Sequence, residues 1–116
     1  FVYGSAARIS PEAPIPVLSI SHQTSMLGGA GNVVRNIASL GGKAILVSVV
    51  GDDAEGHEVE GMLRETGGLT PSLIYSVGRP TTIKTRFIAD GQQLLRSDHE
   101  APHAVQPQTA EKLLEA

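Results

Sequence analysis

Residues 28–32 read Gly28-Gly29-Ala30-Gly31-Asn32, and apolar residues recur at helical spacing from there onward. Ala30, Val33, Val34, Ile37, Ala38 and Gly41 fall at i, i+3, i+4, i+7, i+8 and i+11, the positions that line one face of a helix. The spacing predicts a helix over residues 30–40, and Gly41-Gly42 supplies a left-handed stop. Residues 44–50 are apolar apart from Ser48 and rich in β-branched side chains, which suits a strand covered on both faces in a parallel sheet. Upstream, residues 17–26 place Val17 and Ser19 on one face and Leu18 and Ile20 on the other, as in a strand. Strand, helix and strand in that order predict an α/β fold.

The remaining segments follow the same punctuation. In residues 8–16 three prolines remove backbone donors and push their predecessors towards extended geometry, so this stretch is an unpaired connector or strand edge and not a helix. Phe1-Val2-Tyr3-Gly4 reads like the end of an element, as in a fragment. Asp52 or Asp53 can cap a second helix, with Val59, Met62, Leu63 and Thr66 on its apolar stripe and Glu58, Glu60, Arg64 and Glu65 towards water. Gly56 and Gly61 weaken that helix, so either close packing or simple tolerance accounts for them. Gly67-Gly68 ends it, and residues 72–77 read as a strand. Asp90-Gly91 suits a type I′ turn between strands at residues 81–89 and 92–98. A two-residue turn there places Lys84, Arg86, Ile88, Gln93, Leu95 and Ser97 on one side, and Thr85, Phe87, Leu94, Arg96 and Asp98 on the other. Residues 109–115 begin a last helix.

The 116 residues hold one small domain, and a net charge of -3 argues against a broad nucleic-acid or anionic-lipid surface. No cysteine is present, which excludes disulfides and thiolate metal sites. No apolar run reaches a membrane span and no leader-like start is seen, so a soluble, cytoplasmic protein is expected.

Several motifs fail. A dinucleotide fingerprint on Gly29-Ala30-Gly31 needs a small residue at Val34, and a Walker loop needs Ser or Thr where Ala44 follows Gly42-Lys43. His57-Glu58 lacks the second histidine of a zinc protease, because Gly61 stands there. His99 and His103 are separated by Pro102, so these three histidines read as surface residues. No nucleophile, base and orienter set can be argued from spacing. Two readings of the glycine bend stay open. Bare main chain and the Asn32 carboxamide can meet a hydroxyl-rich ligand, or the glycines form a tight turn that Asn32 caps. Lys84 and Arg86 likewise either hold a phosphate or populate an exposed strand face that discourages edge pairing. Arg96 and Asp98 share a face as a local ion pair.

Gly28-Gly29-Ala30-Gly31-Asn32, with Gly41 and Gly51, resembles the N-terminal signature of the ribokinase-like (PfkB) carbohydrate kinases, from which Val34 departs because a small residue is usual there. Tyr3-Gly4, the proline-rich residues 8–17, residues 36–41 and residues 92–98 are similar to the branch that phosphorylates heptose 7-phosphate in ADP-heptose synthesis for lipopolysaccharide. The resemblance implies the N-terminal part of a ribokinase-like fold, with strand-helix-strand units and a β-lid with its hairpin. It places an acidic sugar-binding strand before Phe1 and the Gly-Ala-Gly-Asp segment, with the catalytic base and nucleotide site, beyond Ala116. Residues 1–116 are then a partial kinase domain, inactive alone, whose parent uses ATP and Mg²⁺. Gly28, Gly29 and Asn32 would contact the sugar. The lid strands would exclude water and pair in a homodimer, while Lys84 and Arg86, on the hairpin face with Gln93, would take the 7-phosphate. Arg96 stays structural because the hairpin register points it away. The competing expectation is a non-catalytic module that dimerises through exposed lid strands.

Overall fold

The computed structural model describes residues 1–116, and contacts within the chain divide them into two compact units. The first comprises residues 1–26 and 83–98, the second residues 27–82 and 99–116.

The first unit is a four-stranded sheet. Strand β1 (Val2–Ile9) runs antiparallel to β2 (Pro16–Gln23), from Val2 opposite Gln23 to Ile9 opposite Pro16, with two register shifts along the pair. Arg8, Ile9 and Pro16 are therefore paired. The expected connector shrinks to the loop of residues 10–15, whose ends are themselves joined by the Ser10 N–H donating to the Ile15 carbonyl at 2.9 Å, and Pro16 needs no donor as a first strand residue. Gly4 lies in the middle of this pairing, where a Cβ would stand 2.1 Å from the Ser19 carbonyl oxygen.

The other edge of β1 pairs in parallel with β5 (Ile83–Ala89), placing Val2 opposite Phe87 and Tyr3 opposite Ile88. The last strand, β6 (Gln92–His99), lies beside β5, so the order is β2-β1-β5-β6. Asp90 and Gly91 have φ of 50° and 78°, the two left-handed positions that a type I′ turn requires. Val2 and Ala89 are buried in this sheet, while every residue of β6 is exposed.

The second unit contains the parallel pair β3 (Ala44–Gly51) and β4 (Leu69–Ser76), in register from Ala44 opposite Leu69 to Gly51 opposite Ser76. Helix α2 (Ala54–Arg64) joins them, so the parallel strand-helix-strand unit is β3-α2-β4. The expected unit through the first helix is corrected: α1 (Gly29–Ser39) connects β2 and β3, but these strands belong to different sheets. Alternation alone shows that a segment is a strand and cannot name its partner.

Leu27 just before α1, Val34 on α1 and Leu63 on α2 form the buried centre, with Ala44, Leu46, Leu69 and Leu73 of the strands against it. The α1 stripe is narrower than its sequence indicates. Gly31 and Val34 are buried, whereas Val33 and Ile37 are exposed. Val34, too large for the sugar-kinase pattern, occupies this core. Strand β3 is also covered less completely than expected, since Ile45 is 71% and Val47 is 38% exposed. Its Ala44 and Leu46 face carries the core, and the alternate residues point to the other side. Helix α3 (Pro107–Glu115) starts on Pro107 at its first turn and lies against β3 and β4.

Candidate functional site

The bend before α1 is open. Gly28, Gly29 and Asn32 are exposed, and a Cβ built at Gly28 or Gly29 meets nothing within 4 Å. Gly28 has φ -73°, and neither Gly28 nor Gly29 is among the positive-φ residues, so backbone conformation does not demand glycine at either place. Gly31 differs, because its Cβ would stand 2.7 Å from that of Leu27. Packing explains one glycine of the three. The capping alternative for Asn32 is corrected: the Asn32 amide N–H donates to the Gly28 carbonyl at 2.7 Å, but no side-chain cap bond is made. Asn32 lies within the helix, beyond the N-cap position that Gly28 occupies.

In the four-stranded sheet, Arg86 places its guanidinium carbon 5.3 Å from the centre of the Phe1 ring. Phe1, Tyr3 and His22 form a stack beside it, with ring centres 6.2 Å apart for Phe1–Tyr3 and 4.5 Å for Tyr3–His22. A guanidinium over a ring face is attracted by the ring's quadrupole without spending its N–H donors there. Lys84 donates to Asp98 Oδ2 at 3.0 Å, and Arg96 Nε lies 2.9 Å from Asp98 Oδ1. The Arg96–Asp98 pair is thus as expected. Their separation from Lys84 on opposite sides is corrected, because Lys84 and Asp98 stand at the open end of the β5–β6 hairpin and a long side chain can wrap around its last residues.

A polar latch that the motifs did not reveal lies in the second unit. Asp53 caps α2: its Oδ1 accepts from the Gly56 N–H at 2.8 Å and from the Thr81 hydroxyl at 2.6 Å, while Oδ2 accepts from the Thr81 N–H at 2.8 Å. The Thr81 oxygen in turn accepts from the Gly51 N–H at 2.9 Å. These donors, led by the Thr81 hydroxyl, hold the Asp53 carboxyl below the ordinary range despite partial desolvation. Gly56 is required here, since its Cβ would fall 2.3 Å from the Gly51 carbonyl oxygen, whereas Gly61 has nothing within 4 Å. A cap from Asp52 or Asp53 was legible, and the structure selects Asp53; the Thr81 partnership, 28 residues away, was not legible.

Glu60, expected to face water alone, accepts from the Tyr75 hydroxyl and pairs with Arg64. The Glu60 carboxylate pushes the Tyr75 phenol up to about 12. His57 lies over Tyr75 with ring centres 4.9 Å apart and is exposed, as are His99 and His103. No group of three or more His, Cys, Asp or Glu side chains is placed to hold a metal ion. No helix is long and apolar enough to cross a membrane.

Comparison with solved structures places this architecture. The ribokinase of Giardia lamblia matches with a TM-score of 0.60 at 22% identity, over 98% of this chain and 36% of that one. A microbiome-derived acarbose kinase matches with a TM-score of 0.55 at 18% identity, over 98% of this chain and 38% of that one. The fold is the N-terminal part of a ribokinase-like sugar kinase. The profile of the pfkB family carbohydrate kinases matches residues 2–116, and the chain belongs to that family.

Among curated relatives, the bifunctional protein HldE of Paramagnetospirillum magneticum is 59% identical over 101 residues, which is 87% of this chain and 21% of the relative. That of Gluconacetobacter diazotrophicus is 52% identical over 116 residues, all of this chain and 24% of the relative. The chain therefore spans about a fifth to a quarter of the length of these relatives.

Proposed function

We propose that this chain is the sugar-binding and lid portion of a kinase that transfers the γ-phosphoryl group of ATP to the anomeric hydroxyl of heptose 7-phosphate, in cytoplasmic ADP-heptose synthesis. The reading rests on the open bend: Gly28 and Gly29 are spared side chains that neither φ nor packing forbids, and the Asn32 carboxamide beside them serves no cap. Bare main chain suits close approach by a hydroxyl-rich molecule, and a carboxamide offers it both a donor and an acceptor. The TM-scores of 0.60 and 0.55 to the solved kinases support the fold, and the 52–59% identity of the HldE relatives supports the choice of branch.

In this reading Gly28, Gly29 and Asn32 hold the sugar ring. Lys84 and Arg86, alternate residues of β5, take the 7-phosphate, Lys84 as a point charge and Arg86 through its planar fork. Phosphoryl transfer depends on positioning and charge stabilisation, so these residues bind and orient the acceptor while the lid strands exclude water. The carbohydrate-kinase family uses ATP. In this reading Mg²⁺, the nucleotide and the catalytic base belong to other parts of the parent, and residues 1–116 alone are inactive. The test is the Lys84→Ala, Arg86→Ala double variant of the full-length enzyme. It weakens binding of heptose 7-phosphate much more than of unphosphorylated heptose; equal effects on the two sugars refute the assignment.

A second reading is favoured by one observation. β6 is exposed along its whole length and forms a sheet edge, with Leu94 and Leu95 outward. Such an edge pairs readily with another strand, which supports a homodimer through the lid. Light scattering together with titration of heptose 7-phosphate distinguishes the two: a stable dimer with no heat of sugar binding favours a module that only dimerises.

A further inference from the structure

The four-stranded sheet contains one arrangement that the assignment of Lys84 and Arg86 leaves unused. Asp98 receives two cations at once. Lys84 Nζ lies 3.0 Å from Oδ2, Arg96 Nε lies 2.9 Å from Oδ1, and Arg96 Nη2 donates to Oδ2 at 3.2 Å. The two-point contact fixes the plane of the Arg96 guanidinium, which bears five N–H donors, so donors remain beyond those given to Asp98. Lys84, hydrogen-bonded to the carboxylate, is the leading cause that holds the Asp98 carboxyl below its usual range, and Arg96 acts in the same direction. Two cationic side chains thus converge on one carboxylate, and all three remain partly open to water.

An exposed ion pair of this kind contributes little to stability. What it does accomplish is geometric: one carboxylate holds an ammonium and a guanidinium side by side, and the ammonium is the one already assigned to the phosphate. We infer that Arg96 is a further phosphate-binding residue and that Asp98 is the positioning residue that sets Arg96 beside Lys84. The ligand class is the dianionic phosphate monoester of a sugar. This rests on the reading of Lys84 and Arg86 given above. It extends that reading by adding a planar fork at the open end of the hairpin, where the Lys84 side chain reaches the Asp98 carboxylate that holds Arg96.

The test uses the full-length enzyme with Arg96→Ala, Arg96→Lys and Asp98→Asn beside the Lys84→Ala, Arg86→Ala double variant. KM and kcat are measured for heptose 7-phosphate and for unphosphorylated heptose. Loss of charge-assisted hydrogen bonds to a phosphate predicts that Arg96→Ala raises KM for the phosphorylated sugar about tenfold or more. KM for the unphosphorylated sugar stays within about twofold. Arg96→Lys restores little, because an ammonium lacks the fork. Asp98→Asn moves KM the same way to a smaller extent, with kcat little changed. Equal shifts for both sugars, or none, in Arg96→Ala overturn the role of Arg96, and an unchanged KM in Asp98→Asn overturns positioning by Asp98. If the double variant discriminates between the sugars while Arg96→Ala does not, only the extension fails. If neither discriminates, the phosphate reading itself is lost.

Discussion

Thr81→Val removes a single oxygen atom from the latch between β3, α2 and the loop before β5. Thr81 is 7% exposed, and its hydroxyl donates to Asp53 Oδ1 at 2.6 Å while accepting from the Gly51 N–H at 2.9 Å. Valine keeps the shape and abolishes both bonds. Gly51 is buried, and the position of its absent Cβ lies 2.3 Å from the Arg79 carbonyl and 2.7 Å from the Thr81 nitrogen, so water has little room to replace the acceptor. A buried donor left unsatisfied costs about 1–3 kcal/mol, and a hydrogen bond to a charged group contributes about 1.5–3 kcal/mol. Asp53 keeps its bonds from the Gly56 and Thr81 N–H groups, and two bonds that share one oxygen are not additive, so the expected loss is about 2–4 kcal/mol. Urea unfolding followed by circular dichroism reads this as a midpoint lowered by about 1–2 M at an m-value of about 2 kcal/mol/M. Thr81→Ser retains the oxygen and isolates the missing methyl group. Destabilisation by Thr81→Val of less than about 0.5 kcal/mol, or no more than that by Thr81→Ser, would refute the reasoning.

Three further outcomes follow from the same geometry. Gly61→Ala stabilises the chain by about 0.5–1 kcal/mol because its added methyl meets open space, whereas Gly56→Ala destabilises it by driving a Cβ to 2.3 Å from the Gly51 carbonyl; opposite shifts in melting temperature check this. Gly28→Ala with Gly29→Ala leaves the melting temperature of the full-length enzyme unchanged or slightly raised, yet lowers sugar affinity in a calorimetric titration; unimpaired affinity would remove the support for sugar contact at the bend. Because Asp53 has a folded pKa below the unfolded value of 3.8, its contribution to stability is present above that value and is lost as pH falls through the folded pKa. Asp53→Asn therefore flattens the acid limb of a stability–pH curve, and an unchanged slope there would contradict the latch.

The α1 helix was legible because a glycine bend, a 3.6-residue stripe and a left-handed stop are all local, and α1 spans Gly29–Ser39 with Gly41 at φ 82°. The Asp53 cap and the Asp90-Gly91 turn were legible for the same reason: a carboxylate reaching an N–H three residues on, and two adjacent residues at positive φ, involve only neighbours in sequence. Even the choice of family was carried by a run of residues whose spacing survives without coordinates. The candidate sugar contacts Gly28, Gly29 and Asn32 were named from that run, but only coordinates showed that neither φ nor packing demands glycine at the first two and that the Asn32 side chain makes no cap.

Partnership across the chain was another matter. The parallel pairing of Val2 with Phe87, the separation of β2 from β3, the bond from Thr81 to Asp53 and the meeting of Lys84 with Arg96 on Asp98 all depend on segments brought together by folding. A side-chain period tells which residues share a face of their own strand, yet many registers and partners preserve that period equally well. Local torsional preference and hydrophobic spacing therefore wrote the elements and their ends into the sequence. Which strand lies beside which, and which charge meets which, was decided only when tertiary packing selected one arrangement from many that local interactions leave nearly equal in free energy.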